Sequence, residues 1–255
     1  MITAFSALVL GVVEGFTEFL PISSTAHLIL ASSLLGIPQT NFTKTFEIAI
    51  QSGAILAVVF LYWRSFLNIE YLKKIIVAFI PTGIIGLILY SFVKTYLLGN
   101  VGVVLWSLAL GGVVLIFFEY ALNENSGSAD LSEVSYQKAL ALGIFQSIAI
   151  IPGVSRSAAT IVGGMLLGIS RATIVEFSFL LAVPTMIAAT GFDLLKNIGE
   201  FSLSEFDVLA IGFVVSFLTA FVGIRFLLGY IRKHNFVGFG IYRILLVVFF
   251  LLFTI

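Results

Sequence analysis

The chain has 255 residues, of which 60% are hydrophobic and only 10% charged, and its mean hydropathy is +1.17. Soluble domains carry about a quarter charged residues, so this composition excludes an ordinary water-soluble protein. The 13 basic and 13 acidic residues balance, and without a basic excess nucleic acid is not an expected partner. The lack of cysteine excludes disulfides, thiolate metal sites and cysteine nucleophiles.

The first apolar segment, 4–35, is interrupted by Pro-Ile-Ser-Ser-Thr at 21–25. A proline followed by small polar residues frees backbone groups that lipid cannot satisfy, so such a break persists only beside protein or a watery cavity. We therefore predict a re-entrant helix-loop-helix hairpin here. Because Glu14 and Glu18 interrupt the segment and no basic region precedes it, it is not expected to be a cleaved signal peptide.

The rest of the chain alternates long apolar segments with short polar ones. A second broken hairpin is predicted at 137–169, where Pro-Gly-Val-Ser-Arg-Ser occupies 152–157. A polar linker, 120–136, precedes it. Six further segments are each long enough to cross a hydrocarbon layer of about 30 Å as a helix. They are 46–63, 74–93, 101–119, 172–193, 207–230 and 238–255.

The two halves of the chain resemble each other. Gly-x-x-Glu at 11–14 matches Gly-x-x-Gln at 143–146, and a proline follows each, with a serine three positions further, Ser24 and Ser155. Each unit has one hairpin, which returns to the side it entered from, and three crossings. Because the number of crossings is odd, the second unit must enter the membrane from the opposite side. The loop charges at 64–74 and 230–236 place both of those loops in the cytoplasm.

The predicted fold class is an all-α polytopic membrane protein with six transmembrane helices and two re-entrant helix-loop-helix hairpins in an inverted-topology repeat. It is a single membrane domain, 1–255, with a first repeat at 1–119 and a second at 137–255. Both broken loops are expected to meet near the membrane midplane.

Glu14 and Glu18 are the first candidate site residues. Four residues apart on a helix, they share one face, and two carboxylates inside an apolar hairpin are costly unless something compensates them. A hard cation, Mg²⁺ or Ca²⁺, is the natural partner and would also hold phosphate. The alternative is that one or both glutamates are protonated or lie at the water interface.

Ser24 and His27 lie in the first loop and predict nucleophilic chemistry. A serine hydroxyl needs a base to accept its proton, and His27 is one helical turn away. Ser24 is therefore the predicted nucleophile and His27 its base or proton relay, although a Ser-Ser-Thr run is also typical of a helix cap. The neighbouring hydroxyls of Ser23 and Thr25 are candidate substrate-binding groups.

Arg156 is the corresponding feature of the second loop. A guanidinium binds phosphate oxygens in pairs, and a helix starting after Pro152-Gly153 would aim free N–H groups at the same anion. The alternative is a structural ion pair with Glu14 or Glu18. The predicted substrate-binding residues of the second hairpin are Ser155, Arg156, Ser157 and Thr160. Gln51, on a spanning helix of the first half, is also predicted to bind the substrate.

The stretches Glu14–His27 and Pro152–Thr160 closely resemble the two signature motifs of bacterial undecaprenyl-diphosphate phosphatases of the bacitracin-resistance type, and the likeness extends over nearly the whole chain. The resemblance implies an inverted-repeat fold with the metal pair at Glu14 and Glu18. It also implies roles for the serine, histidine and arginine at the matching positions. Ala26 and Ala158 depart from the family's usual glycines, which puts the fine loop geometry in question.

The expected activity is hydrolysis of undecaprenyl diphosphate to the monophosphate and inorganic phosphate in the bacterial cytoplasmic membrane, which recycles the lipid carrier for cell-wall synthesis. The isoprenoid diphosphate and the bilayer are the expected partners, and a homodimer is allowed. Two alternatives stay open: attack by metal-activated water instead of Ser24, and a lipid flippase or ion-coupled transporter, since inverted repeats with broken helices are typical of carriers. A purely structural scaffold fits poorly with so many buried ionisable groups.

Overall fold

The computed structural model describes residues 2–38, 40–97, 100–122, 130–196 and 206–253. All regular elements in these ranges are helices, as expected where lipid leaves the backbone no other partner than itself. The α-helices are α1 Ala4–Thr17, α2 Ser24–Leu34, α3 Asn41–Leu61, α4 Trp63–Leu67, α5 Ile69–Phe92, α6 Val101–Ala121, α7 Tyr136–Ser147, α8 Arg156–Leu166, α9 Arg171–Lys196, α10 Phe206–Ile231 and α11 Val237–Phe253. A π-helical turn, Val93–Leu97, extends α5, and 3₁₀ turns form at Leu131–Glu133 and Ile148–Ile150.

Five helices in the described part are long and apolar enough to cross a membrane: α3, α5, α6, α9 and α10. They coincide with five of the six predicted spans to within a few residues. The sixth predicted span, 238–255, forms α11, whose 17 residues are apolar but shorter than the other five. Positions 254–255 of that prediction lie outside the described residues.

Large apolar side chains cover the outside of these helices. Ile88, Trp106 and Leu252 are each more than 70% exposed. In water such a surface would drive aggregation, whereas in a bilayer the lipid tails solvate it. The chain is therefore a multi-pass membrane protein.

Both predicted helix breaks are present. The first separates α1 from α2 at 18–23 and the second separates α7 from α8 at 148–155. The helix that follows each break starts at a serine cap with a left-handed backbone, Ser23 at φ 69° and Ser155 at φ 76°. The structure thus equates Ser23 with Ser155, whereas the sequence comparison, counted from the prolines, matched Ser24 with Ser155.

The first helix of each broken pair packs on a long helix of the other half: α1 lies on α10, and α7 lies on α5. The two contacts are built alike. The Thr219 hydroxyl lies 3.2 Å from the carbonyl oxygen of Gly11, besides its shorter bond to that of Val215 within α10 (2.8 Å), and the Thr82 hydroxyl donates to the carbonyl oxygen of Gly143 (2.8 Å). At both glycines a side chain would collide with the backbone of the opposing helix, so each pair is fixed by close backbone packing.

The described end of the predicted linker is attached to the start of α5. Lys74, which is buried, donates to the carbonyl oxygen of Ser132 (2.7 Å), and the Tyr71 hydroxyl donates to the Asp130 carboxylate (3.3 Å). The Asp130 carboxylate also caps the Leu131–Glu133 turn. The middle of the linker, 123–129, lies outside the described residues.

Candidate active site

Glu18 joins the two broken loops. It caps the C-terminus of α1, with its N–H bonded to the carbonyl oxygen of Glu14 (2.9 Å), and it is buried. One carboxylate oxygen accepts the Ser24 hydroxyl of the first half, and the other accepts Arg156 of the second half at 3.2 Å. The hydroxyl of Ser24 and the guanidinium of Arg156, which lies 138 residues from Glu18 in sequence, therefore meet at one carboxylate.

Arg156 opens α8 and is held from three sides. One terminal nitrogen forms the ion pair with Glu18, and the other donates to the carbonyl oxygen of Ser178 (2.9 Å). Its guanidinium also lies 5.9 Å from the centre of the Phe19 ring. The buried Nε has no hydrogen-bond partner in the described structure, and because a guanidinium has five N–H groups, these two bonds leave donors for an anion. The ion pair that the sequence analysis gave as an alternative is thus present beside this donor.

His27 does not contact Ser24 through either ring nitrogen. Its Nδ1 lies 2.8 Å from the carbonyl oxygen of Ser23, and its Nε2 lies 2.7 Å from the Tyr242 hydroxyl. Because a carbonyl only accepts, Nδ1 carries a proton, and in the neutral imidazole Nε2 then accepts from the tyrosine. The sequence paired His27 with Ser24 across one turn, but the imidazole reaches back to the backbone and the Ser24 hydroxyl donates to Glu18 instead.

Arg243 is a site residue that the sequence analysis missed. It lies on α11, is completely buried, and all its bonds go to backbone. The acceptors are the carbonyl oxygens of Pro21 (3.3 Å), Ser107 (3.0 Å), Leu108 (3.1 Å), Gly153 (2.9 Å) and Val154 (3.1 Å). One side chain therefore ties both loops to α6. The available signal was a lone arginine inside the apolar segment 238–255, since a charge at such depth marks a specific role.

A cavity of about 160 Å³ lies between the two loops. One water needs only about 10–15 Å³ of such volume, so a phosphate group and water can enter. The predicted residues among those lining it are Glu18, Ser23, Ser24, Thr25, Gln51, Ser155 and Arg156. The wall thus carries a carboxylate, hydroxyls, an amide and a guanidinium.

Two predicted substrate-binding residues are placed elsewhere. The Ser157 hydroxyl donates to the carbonyl oxygen of Phe19 (2.9 Å), which ties the second loop to the first. The Thr160 hydroxyl donates to the carbonyl oxygen of Arg156 (2.9 Å) within α8. Both residues are completely buried, and neither lines the cavity, because each hydroxyl satisfies a backbone oxygen.

Ala26 and Ala158, where the resemblance led us to expect glycine, are accommodated. Ala26 and Ala158 are buried in the first turns of α2 and α8. Their N–H groups donate to the capping hydroxyls of Ser23 (3.4 Å) and Ser155 (3.2 Å). The added methyl groups therefore do not prevent the serine caps from forming.

Glu14 has the features of a cation ligand. It is completely buried, and neither carboxylate oxygen has a hydrogen-bond partner in the described structure. It lies one helical turn before Glu18, as predicted. The described residues contain no group of three or more His, Asp or Glu side chains that could hold a metal. A divalent cation on this pair would take its other ligands from hydroxyls, phosphate or water, as Mg²⁺ commonly does.

Together these observations define a class: a helical multi-pass membrane protein whose two broken loops enclose a polar site suited to phosphate chemistry. A carboxylate next to a serine can accept the proton of the serine hydroxyl, and an arginine can neutralise the charge on phosphate oxygens. The surrounding helices are apolar, so a substrate that dissolves in lipid could approach from the bilayer.

The chain belongs to the family described as bacitracin resistance protein BacA, whose model matches residues 7–249. It is 54% identical over 245 residues to a Sulfurihydrogenibium protein named undecaprenyl-diphosphatase, which covers 96% of each chain. A protein of the same name from Aquifex aeolicus is 52% identical with the same coverage. A third, from Persephonella marina, is 51% identical over 251 residues, or 98% of each chain.

Proposed function

We propose that this chain is an integral membrane phosphatase that hydrolyses undecaprenyl diphosphate to undecaprenyl phosphate and inorganic phosphate. The family membership and the names of the similar proteins support the reaction. The apolar helices support a substrate with a long hydrocarbon tail. By this reaction the protein recycles the lipid carrier for cell-wall synthesis in the bacterial cytoplasmic membrane.

The proposed membrane arrangement has six crossings and two re-entrant pairs in an inverted repeat. The reciprocal packing of α1 on α10 and of α7 on α5 supports the two-fold relationship. At 17 residues, α11 reaches the lower limit of about 17 residues for a crossing helix. The basic segments that follow α3 and α10 would face the cytoplasm. A homodimer stays a prediction, which the mass of the detergent-solubilised protein would test.

The proposed chemistry starts with attack of the Ser24 oxygen on the terminal phosphorus of the diphosphate. Glu18 accepts the serine proton, because its carboxylate already receives that hydroxyl. The bond from this phosphorus to the bridging oxygen breaks, and undecaprenyl phosphate leaves with the electron pair. Arg156 offsets the charge on the phosphate oxygens, and water then hydrolyses the phosphoserine to free the serine.

A divalent cation, Mg²⁺ or Ca²⁺, held by Glu14 and Glu18 would neutralise phosphate charge and help to orient the diphosphate. Gln51, Ser23, Thr25 and Ser155 would complete the polar wall around it. In the competing route water attacks the phosphorus directly and Ser24 only binds the phosphate. Trapping of phosphorylated Ser24 with a slow substrate separates the two routes.

The observation that carries the proposal is the bridge at Glu18 between Ser24 and Arg156. Phosphate release from undecaprenyl diphosphate by the purified protein in detergent tests it. Glu18→Gln and Arg156→Lys should each lower kcat/KM by about 10²-fold or more, because the first removes the proton acceptor of Ser24 and the second removes the planar guanidinium that binds the phosphate oxygens. Arg225→Lys, an exposed arginine on α10, is the matched control and should retain activity.

A carrier is the second candidate, because paired halves with broken helices are also the usual architecture of secondary transporters. Reconstitution in liposomes distinguishes the two. Transfer of the lipid between leaflets with no phosphate release would contradict the proposal. Phosphate release in detergent that depends on Glu18 would support it.

A further inference from the structure

Tyr242 is the only side chain for which the described structure shows a hydrogen bond to the outer nitrogen of His27. The tyrosine hydroxyl lies 2.7 Å from Nε2, and the two rings stack almost parallel, 6° apart with centres separated by 5.6 Å. They come from opposite ends of the chain, 215 residues apart. The contact therefore belongs to the tertiary fold and not to a local turn.

The other side of the imidazole supports an unusual backbone. Nδ1–H donates to the carbonyl oxygen of Ser23, and Ser23 has the left-handed φ of 69°. A residue with a side chain adopts this region only when its surroundings enforce it, at a cost of about 1–2 kcal/mol. The Ser23 conformation sets the first turn of α2, which begins with Ser24.

The second half does without such a support. Its capping serine, Ser155, has a similar φ of 76°, but Ala159 occupies the position that corresponds to His27. There, Arg243 binds the carbonyl oxygens of the two preceding residues, Gly153 and Val154. The imidazole is thus an addition of the first half, the half that contains the proposed nucleophile.

We propose that Tyr242 is a positioning residue of the phosphatase reaction, which acts through His27 and the Ser23 carbonyl to hold Ser24 against Glu18. The inference rests on the proposed function. It also changes the role predicted for the histidine: with Nδ1–H on a carbonyl and Nε2 on the tyrosine, the imidazole orients the nucleophile and does not take its proton in this state.

Tyr242→Phe tests the role, because it keeps the stacked ring and removes only the hydroxyl. We expect kcat to fall about 3- to 10-fold, the size of one hydrogen bond, with KM unchanged. In a His27→Gln background the same change should have no further effect, since coupled residues are not additive. Tyr120→Phe, an exposed tyrosine on α6, is the matched control.

A second measurement does not require activity. The chain has two histidines, so ¹⁵N-histidine labelling with His234→Gln as the assignment variant isolates the His27 signals. Wild type should show a protonated Nδ1 and a hydrogen-bonded Nε2, and Tyr242→Phe should move the Nε2 resonance downfield. Ordinary packing loss would lower thermal stability in detergent without this signature.

The outcomes separate the two proposals. An unchanged kcat in Tyr242→Phe, an equal loss in both His27 backgrounds, or an unmoved Nε2 resonance would overturn the positioning role. If wild type releases no phosphate from undecaprenyl diphosphate, the proposed function fails. The Nε2 resonance would still show whether Tyr242 holds the imidazole.

Discussion

Replacement of Arg243 by methionine tests how the two loops are held together. Methionine preserves an unbranched apolar stem and removes all five N–H···O bonds to the backbone. Two acceptors, Ser107 and Leu108, belong to the helix α6. The other three, Pro21, Gly153 and Val154, are in the broken loops, so the variant acts mainly on the loops.

The stability effect follows from two opposing contributions. Leaving three buried loop carbonyls without this donor costs about 1–3 kcal/mol each. Burial of an arginine itself costs several kcal/mol, and methionine recovers that cost. The net loss of unfolding free energy should therefore stay below about 5 kcal/mol, and Arg243→Met should fold in detergent.

Activity should fall much more than stability. The Arg243 bonds fix the spacing between the loop before Ser24 and the loop before Arg156, and a displacement of about 1 Å at a reacting group can cost about 10²-fold in rate. We expect a loss of 10²-fold or more in phosphate release. Arg243→Lys should be intermediate, because an ammonium has three donors and lacks the planar fork.

Phosphate release and thermal unfolding, measured on the same detergent preparation, check this prediction. Arg225→Met, which replaces an exposed arginine on α10, is the control for loss of charge. If Arg243→Met folds and keeps activity within threefold of wild type, the loops are held by other contacts and the reasoning is refuted.

Three further predictions follow from individual contacts. Glu14→Gln should fold normally but need a higher magnesium concentration for half-maximal phosphate release, because one of two carboxylates is lost; an unchanged magnesium dependence would contradict the metal assignment. Gly143→Ala should lower the free energy of unfolding by about 1–3 kcal/mol, since its methyl group would collide with the backbone of α5. Thermal unfolding measures this loss, with Gly191→Ala, where the space is open, as the control. Hydrogen bonds from Ser132 hold the pKa of Asp130 below its ordinary value, so the bonded carboxylate stabilises the Leu131–Glu133 turn above its unfolded pKa of about 4. This contribution is lost as the pH falls further. Amide hydrogen exchange in the turn should therefore accelerate at low pH in the wild type, whereas exchange in Asp130→Asn should not show this pH dependence.

The helix breaks and the meeting of the loops could be predicted from sequence because they depend on local rules. Proline with small polar residues ends a helix wherever it occurs, and a spacing of four places Glu14 and Glu18 on one face. The similarity between the halves then predicted that the second loop, and Arg156 with it, lies next to these acids. Each step uses residues that are close in sequence or related by the repeat.

The contacts of α11 could not be predicted in the same way. The bonds from Tyr242 to His27 and from Arg243 to the loops join residues up to 222 positions apart. The sequence showed a tyrosine and an arginine in an apolar segment but nothing that identified their partners. His27 was paired with Ser24 because proximity in sequence favoured it, whereas the imidazole reaches the carbonyl four residues back.

The two halves share a scaffold but differ in chemistry at matching positions. With Ser23 equated to Ser155, Ser24 corresponds to Arg156 and Glu14 corresponds to Gln146. One copy therefore begins its second helix with a hydroxyl and the other with a guanidinium, and both reach the same Glu18 carboxylate. A strictly symmetric pair would place two hydroxyls or two cations together. Divergence at these positions gives the shared cavity the proposed nucleophile on one side and the proposed phosphate ligand on the other.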